Sequence, residues 1–280
     1  MELREVLRRK KYFILDLDGT LYLGRDLFPF TREFLRVLRE TGRKPIFLTN
    51  NSSKSTKEYG EKLQKMDIIS RASHSDPATE IYTSGRAMID FLLAKKMRRI
   101  FLMAPPKVQK EFEQAGISIT SDHAKPALPQ AVILAFDTTF TYEKFCTAYT
   151  LIMSGVPFFA THPDHLLPIE NKKFLPDIGS LISAFVTATG KKPTIIGKPY
   201  KAIFEGLRRR LGCKKTEMVM IGDRLYTDIK GAHDFGITSI LVLSGETTRA
   251  MLHKRVVKER RGGVQPDFVV KNVGGLVDLL

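Results

Sequence analysis

The sequence predicts an α/β protein built on a parallel sheet covered by helices, and three observations predict it. Short apolar runs of strand length alternate with segments whose apolar residues recur at helical spacing, nearly end to end through the 280 residues. Helical patterns stop at glycines, as at Gly42, Gly190 and Gly212. Polar clusters rich in Asp, Asn and Thr stand where strand patterns end, which is where open α/β sheets bind ligands.

The elements follow in order. Residues 13–17 read as a short buried strand, and Phe34, Leu35, Val37 and Leu38 give a helical face over 31–41. Residues 45–48 read as the next strand, and 53–66 as a helix with Tyr59, Leu63 and Met66 on one side. In the middle, helices are expected over 87–96, 108–115 and 142–153, with strands over 99–103, 131–136 and 157–160. A third block has helices over 178–189, 201–211 and 227–235, strands over 194–196, 218–221 and 239–243, and a last strand, 268–270, before a C-terminal helix.

Composition bounds the function. With 43% hydrophobic residues the chain can bury a sizeable core. The formal net charge is +15, but its Lys and Arg residues are scattered over 8–11, 95–99, 208–210 and 258–261, with no interleaved aromatics and no nucleic-acid module. A solvated basic surface is expected, not a nucleic-acid partner. Cys146 lies in a helical pattern with Tyr142, Phe145 and Tyr149 and reads as a small core residue, whereas Cys213 follows a helix stop at Leu211-Gly212. Two unpaired thiols fit a reducing compartment. Residues 1–11 are charged throughout and no apolar run approaches membrane-spanning length, so a cytoplasmic location is expected, with no membrane partner.

Four strand exits carry the chemistry: Asp16-Leu17-Asp18-Gly19-Thr20, Thr49-Asn50-Asn51-Ser52, Gly197-Lys198-Pro199, and Gly222-Asp223-Arg224-Leu225-Tyr226-Thr227-Asp228. If their strands are neighbours, the loops converge. Asp16, Asp18 and Asp223 cannot all stay ionised side by side without a compensating cation. A hard divalent ion with oxygen ligands answers that need, Mg²⁺ being the commonest. One carboxylate could then attack phosphorus and the other protonate the leaving alcohol. Blander readings exist for each residue. An EF-hand would want an acid or amide at position 20 and Glu at 27, where the chain has Thr20 and Leu27. Asp223 could cap a helix, Lys198 could be an exposed lysine, and Asp228 a helix-surface acid.

The ordered set Asp16-x-Asp18-Gly19-Thr20, Thr49, Lys198 and Gly222-Asp223-x-x-x-Thr227-Asp228 resembles the haloacid dehalogenase-like phosphohydrolases. The Leu48-Thr49-Asn50-Asn51-Ser52 loop, the Gly197-Lys198-Pro199 triplet and the Leu243-Ser244-Gly245-Glu246 run resemble the p-nitrophenyl phosphatase-like (NagD-type) branch. The resemblance implies a Rossmann-like core with an inserted α/β cap domain: core over 1–82 and 183–280, cap over 83–182, the gap between Thr49 and Lys198 being roughly 150 residues, enough for a domain. It further implies a Mg²⁺-dependent phosphatase of a small phosphorylated metabolite. Asp16 resembles the nucleophile that becomes an aspartyl-phosphate, and Asp18 the general acid and later base. Asp16, Asp18 (through its carbonyl) and Asp223 resemble the metal ligands, with Asp228 beside them. Thr49 and Asn50, with Asn51, resemble the phosphate-binding loop, Lys198 the cation that steadies nucleophile and phosphate, and 224–227, including Arg224 and Thr227, the loop lining the site. A homodimer through the cap is also implied.

Alternatives are a phosphotransferase of the same fold or a non-catalytic basic binding module. Two departures bear on substrate choice: His162 stands where the family has Asn in a Thr-Asn-Pro-Asp pattern, and Pro176-Asp177-Ile178-Gly179 stands where many members have Pro-Gly-x-Gly. His162 could touch substrate, and Arg224 could contact substrate or pair with an acid. Residues 254–263 are unusually basic for their position.

Overall fold

The computed structural model describes residues 2–69, 79–120, 128–169, 173–252 and 264–280. The basic segment 254–263 and His74, His123 and His253 lie outside the described residues. Along the chain, α1 (Leu3–Arg8) precedes β1 (Tyr12–Leu15), the hairpin of β2 (Tyr22–Leu23) and β3 (Asp26–Leu27), α2 (Thr31–Glu40), β4 (Lys44–Thr49), α3 (Thr56–Lys65) and β5 (Ile81–Thr83). Then come α4 (Ser84–Ala94), β6 (Arg99–Met103), α5 (Pro106–Gln114), β7 (Ser118–Ile119), β8 (Ala131–Leu134), α6 (Tyr142–Met153) and β9 (Phe158–Ala160). The hairpin of β10 (Leu166–Ile169) and β11 (Lys173–Pro176) leads to α7 (Ile178–Thr189) and β12 (Thr194–Ile195). The rest is α8 (Lys201–Leu211), β13 (Met218–Gly222), a π-helical turn over Leu225–Ile229, α9 (Lys230–Phe235), β14 (Thr238–Val242), β15 (Phe268–Val270) and a 3₁₀ helix over Val273–Leu279.

The chain divides into two compact units. The first comprises Met1–Thr49, Gly60–Tyr82 and Pro199–Leu280. Its sheet has the order β15-β14-β13-β1-β4-β5. Central β1 is buried along its whole length, as its unbroken apolar run requires of a strand covered on both faces. It runs parallel to both neighbours, with Leu15 opposite Ile221 of β13 and Phe47 of β4. That register brings the residues that follow β1 and β13, and the last residue of β4, to one edge of the sheet.

The second unit comprises Asn50–Tyr59 and Thr83–Lys198, around a sheet of order β12-β9-β8-β6-β7. Its strand pairs are parallel. Phe101, Val132, Leu134, Phe158 and Phe185 pack into one core between this sheet and helices α6 and α7. The boundary expected at 182/183 falls inside α7, and β12 pairs with β9, so this unit extends to Lys198. A helix whose Phe185 is fully buried in one core cannot be divided between two.

Two expectations change on the structure. Cys146 is exposed, not a core residue. The buried face of α6 is Ala148, Leu151 and Ile152, with Phe145 packed on Phe185 at 4.4 Å. The tyrosines that suggest another face, Tyr142 and Tyr149, are both exposed, as a polar hydroxyl allows. The helix expected over 227–235 begins instead as the π turn, for a reason found at the site. Among the described residues, no helix is long and apolar enough to cross a membrane.

Candidate active site

Asp16 follows the last residue of β1 and its N–H continues the ladder to the Ile221 carbonyl at 2.9 Å. Asp223 directly follows β13. The π turn then widens the backbone: the Ile229 N–H reaches the Arg224 carbonyl at 3.2 Å, five residues back, while the Arg224 N–H donates to Asp228 Oδ2 at 3.1 Å. As a result, carboxylate oxygens of Asp16, Asp223 and Asp228 lie within 4.8 Å of one another. π turns of this kind are rare and concentrate at functional sites.

All three acids are buried, Asp228 completely. Asp223 Oδ2 accepts the Glu246 N–H at 2.6 Å, but Oδ1 is buried with no hydrogen-bond partner among the described residues. Burial first, then the charges of Asp16 and Asp228, push the Asp223 carboxyl well above the usual carboxylate range, against the pull of Arg224 and the Glu246 N–H. An unpartnered buried oxygen among crowded acids is the environment a divalent cation relieves. The donors are hard oxygens with no thiolate or imidazole among them, which fits Mg²⁺ or Ca²⁺ better than a softer metal.

Asp18 sits on the loop after β1, where the Gly19 N–H bonds the Tyr22 carbonyl at 2.8 Å and starts the hairpin. Burial raises its carboxyl from the ordinary value; Lys62 draws it back, and Asp16 adds to the rise. Thr49, last in β4, is buried, as is Thr227 within the π turn. The Arg224 Nε pairs with Glu246 at 3.0 Å, so of its two readings the ion pair is the one the structure shows.

Asn50, Asn51 and Lys198 belong to the second unit. There Asn50 locks Lys198: its Oδ1 accepts the Lys198 N–H at 2.8 Å and its Nδ2 donates to the Lys198 carbonyl at 2.9 Å. Nδ2 also faces Asp164 at 3.2 Å. The Asn50 side chain is thus committed to protein. Asn51 folds its own loop, its Oδ1 accepting from the Ser53 N–H at 2.9 Å and hydroxyl at 2.7 Å. His162 is fully buried and bonded to Asp177, not open to a substrate.

Sequence reasoning missed two contributors. Lys62 lies over the Tyr22 ring at 4.0 Å and acts on Asp18, but a lone lysine on a helix gives no signal. Glu246 had one: it lies in the Ser244-Gly245-Glu246 run, where the Ser244 hydroxyl donates to the Gly19 carbonyl at 2.8 Å and the Tyr226 hydroxyl to Glu246 at 3.1 Å. The run ties the β14 exit to those of β1 and β13.

Comparison with known proteins agrees with this arrangement. A haloacid dehalogenase-like hydrolase model matches residues 13–118, and a HAD-hydrolase-like model residues 195–276. The 5′-nucleotidase YutF of Bacillus subtilis (strain 168) is 32% identical over 246 residues, covering 87% of this chain and 91% of its own. The chain is a haloacid dehalogenase-like hydrolase. Among solved structures, this hydrolase is similar to the 4-nitrophenylphosphatase from Thermotoga maritima, with 38% identity, 98% of each chain covered and a TM-score of 0.85. It thereby falls in the p-nitrophenyl phosphatase-like branch. A glycerol phosphate phosphatase from Mycobacterium tuberculosis, solved in complex with magnesium, superposes with a TM-score of 0.81 at 25% identity, covering 97% of the hydrolase and 77% of its own chain.

Proposed function

We propose that this hydrolase is a Mg²⁺-dependent phosphatase of small phosphomonoesters that works through a phospho-aspartate on Asp16. The observation that carries the reading is the trio of Asp16, Asp223 and Asp228, with carboxylate oxygens within 4.8 Å of each other at one sheet edge. Three buried acids so close are costly unless a cation offsets their charge.

Asp16 attacks phosphorus, forming an Oδ–P bond as the ester P–O bond breaks. Asp18 gives its proton to the departing alkoxide oxygen. Water then attacks the phosphorus of phospho-Asp16 while Asp18 takes back a proton, releasing phosphate and the free carboxylate. Asp16, Asp223 and the Asp18 carbonyl, with Asp228 adjoining, would hold Mg²⁺, which would supply the charge that lets an anionic carboxylate meet an anionic phosphate. Thr49, the Asn50 backbone N–H and Lys198 bind phosphate oxygens. Asn51 and Thr227 shape the loops that carry these groups, and Arg224, through Glu246, steadies the Asp223 side. The second unit acts as the cap that selects substrate.

Hydrolysis of p-nitrophenyl phosphate should require Mg²⁺ and fall below detection in Asp16→Asn, with the circular-dichroism spectrum unchanged. Undiminished turnover in that variant refutes the reading. Product analysis in the presence of alcohol acceptors separates hydrolysis from phosphotransfer.

A further inference from the structure

The two positions at which this chain departs from its family pattern, His162 and Asp177, touch each other. His162 Nε2 lies 3.1 Å from Asp177 Oδ1, with both side chains buried. The same oxygen accepts the Ile178 N–H at 2.6 Å, so Asp177 also caps the start of α7. On the other side of the ring, His162 Nδ1 lies 3.1 Å from Thr161 Oγ1, which lies 2.9 Å from Ser52 Oγ, which accepts the Phe136 N–H at 2.9 Å.

One proton placement satisfies every member. The Phe136 N–H donates to Ser52, Ser52 to Thr161, Thr161 to Nδ1, and Nε2–H to Asp177. No member of the chain is left over, and each is fixed by the next.

The network sits directly behind Lys198. The Gly197 N–H donates to the Thr161 carbonyl at 2.7 Å. A Cβ on Gly197 would lie 2.5 Å from that carbonyl, 2.8 Å from Asn50 Oδ1 and 3.0 Å from His162 Cβ. The backbone that presents Lys198 is therefore pressed between Asn50, which holds its N–H and carbonyl, and the Thr161-His162 strand end. Ser84 completes the enclosure, its hydroxyl donating to the Asn50 carbonyl.

We propose that His162 and Asp177 form a positioning pair that holds the Thr161-to-Lys198 corner in register and so aims Lys198. The pair replaces the Asn and Gly of the family pattern together: the carboxylate supplied at 177 anchors the imidazole supplied at 162. The inference rests on the phosphate-binding role proposed for Lys198. It assigns no contact between substrate and His162.

The test is a coupling cycle on p-nitrophenyl phosphate turnover with saturating Mg²⁺, using Asp177→Ala, Lys198→Ala and the double variant. Misplacing a charged group by a fraction of an ångström to an ångström costs about 10- to 100-fold, so kcat in Asp177→Ala should fall by about 10-fold or more. In the Lys198→Ala background the same change should cost less than about twofold, because the group it positions is gone. Asp177→Asn, whose Oδ1 still accepts from Nε2–H and from Ile178, should keep most of the activity. Equal losses in both backgrounds, or no loss in either, overturn the pairing. Full turnover in Lys198→Ala alone overturns instead the role given to Lys198. Should Asp177→Ala not fold, His162→Asn takes its place in the cycle: a loss confined to the Lys198 background supports the pairing, and equal losses or none overturn it.

Discussion

At position 245 a single hydrogen atom decides the geometry of the cation site. A Cβ there would lie 2.0 Å from Asp223 Oδ2, the oxygen that also receives the Glu246 N–H at 2.6 Å. Gly245→Ala must therefore displace the Asp223 carboxylate or the loop that holds it. The Mg²⁺ concentration for half-maximal turnover should rise about 10-fold or more, as loss of an orienting partner does at metal sites. Glu246→Gln keeps the N–H that Asp223 accepts and weakens only the side-chain contacts with Arg224 and Tyr226, so a Mg²⁺ titration should show a shift of less than about threefold. Asp16 and Asp223 are legible in the sequence because each follows a buried apolar strand, where a carboxylate is out of place unless used. The commitment of Asn50 was not legible. Its partner is the backbone of Lys198, 148 residues away, and no local pattern encodes a contact of that range.

The elements that were easiest to read are those whose pattern is decided by one buried face. Helices α6, α7 and α8 and strands β6 and β15 have the residue bounds expected of them. On α6 the aromatic residues mask, in the sequence, the stripe that is buried, Ala148, Leu151 and Ile152. The two-residue strands β2, β3 and β7 are too short for any period, and their pairing depends on where the chain returns. The π turn was invisible, since nothing in Leu225 to Ile229 disfavours an ordinary helix; the Arg224–Asp228 contact is what widens it. Helix α8 offers a pH test. Hydrogen bonds from Arg208 first, then Arg209, lower the Glu205 carboxyl to about 2. A carboxyl lowered in the folded state adds stability above its unfolded value, and that stability is lost as pH falls toward 2. The side chains are a third or more exposed, so screening leaves only about 0.5–1 kcal/mol. Urea denaturation should find Glu205→Gln less stable than the parent by that amount at pH 7, with the difference closing as the pH is lowered from 4 toward 2. Phe185→Ala, which empties the centre of the second unit's core, should cost about 3–5 kcal/mol at any pH in the same experiment.

The whole molecule carries a formal charge of +15, yet the charges buried at the exits of β1 and β13 are acidic. The first unit is assembled from three separate stretches of chain, and its acids come from two of them. Folding therefore brings Asp16 against Asp223 and Asp228, and without a cation the fold bears their repulsion. Asp223, whose carboxyl lies well above its unfolded value in the fold, costs stability once pH exceeds about 4. Two opposite effects of Asp223→Asn follow. With chelator at pH 7.5, the variant should melt at a higher temperature than the parent, since it keeps an acceptor for the Glu246 N–H and loses one buried charge. A cation that binds only the folded state adds about 2.7 kcal/mol at 100 times its Kd, or roughly 5 °C or more for a chain of this size. Saturating Mg²⁺ should therefore raise the melting temperature of the parent by that amount and leave the variant unmoved, so the order of the two proteins inverts. Calorimetry with and without Mg²⁺ decides it: an equal Mg²⁺ shift in both proteins would remove Asp223 from the cation site, whatever the activity of either.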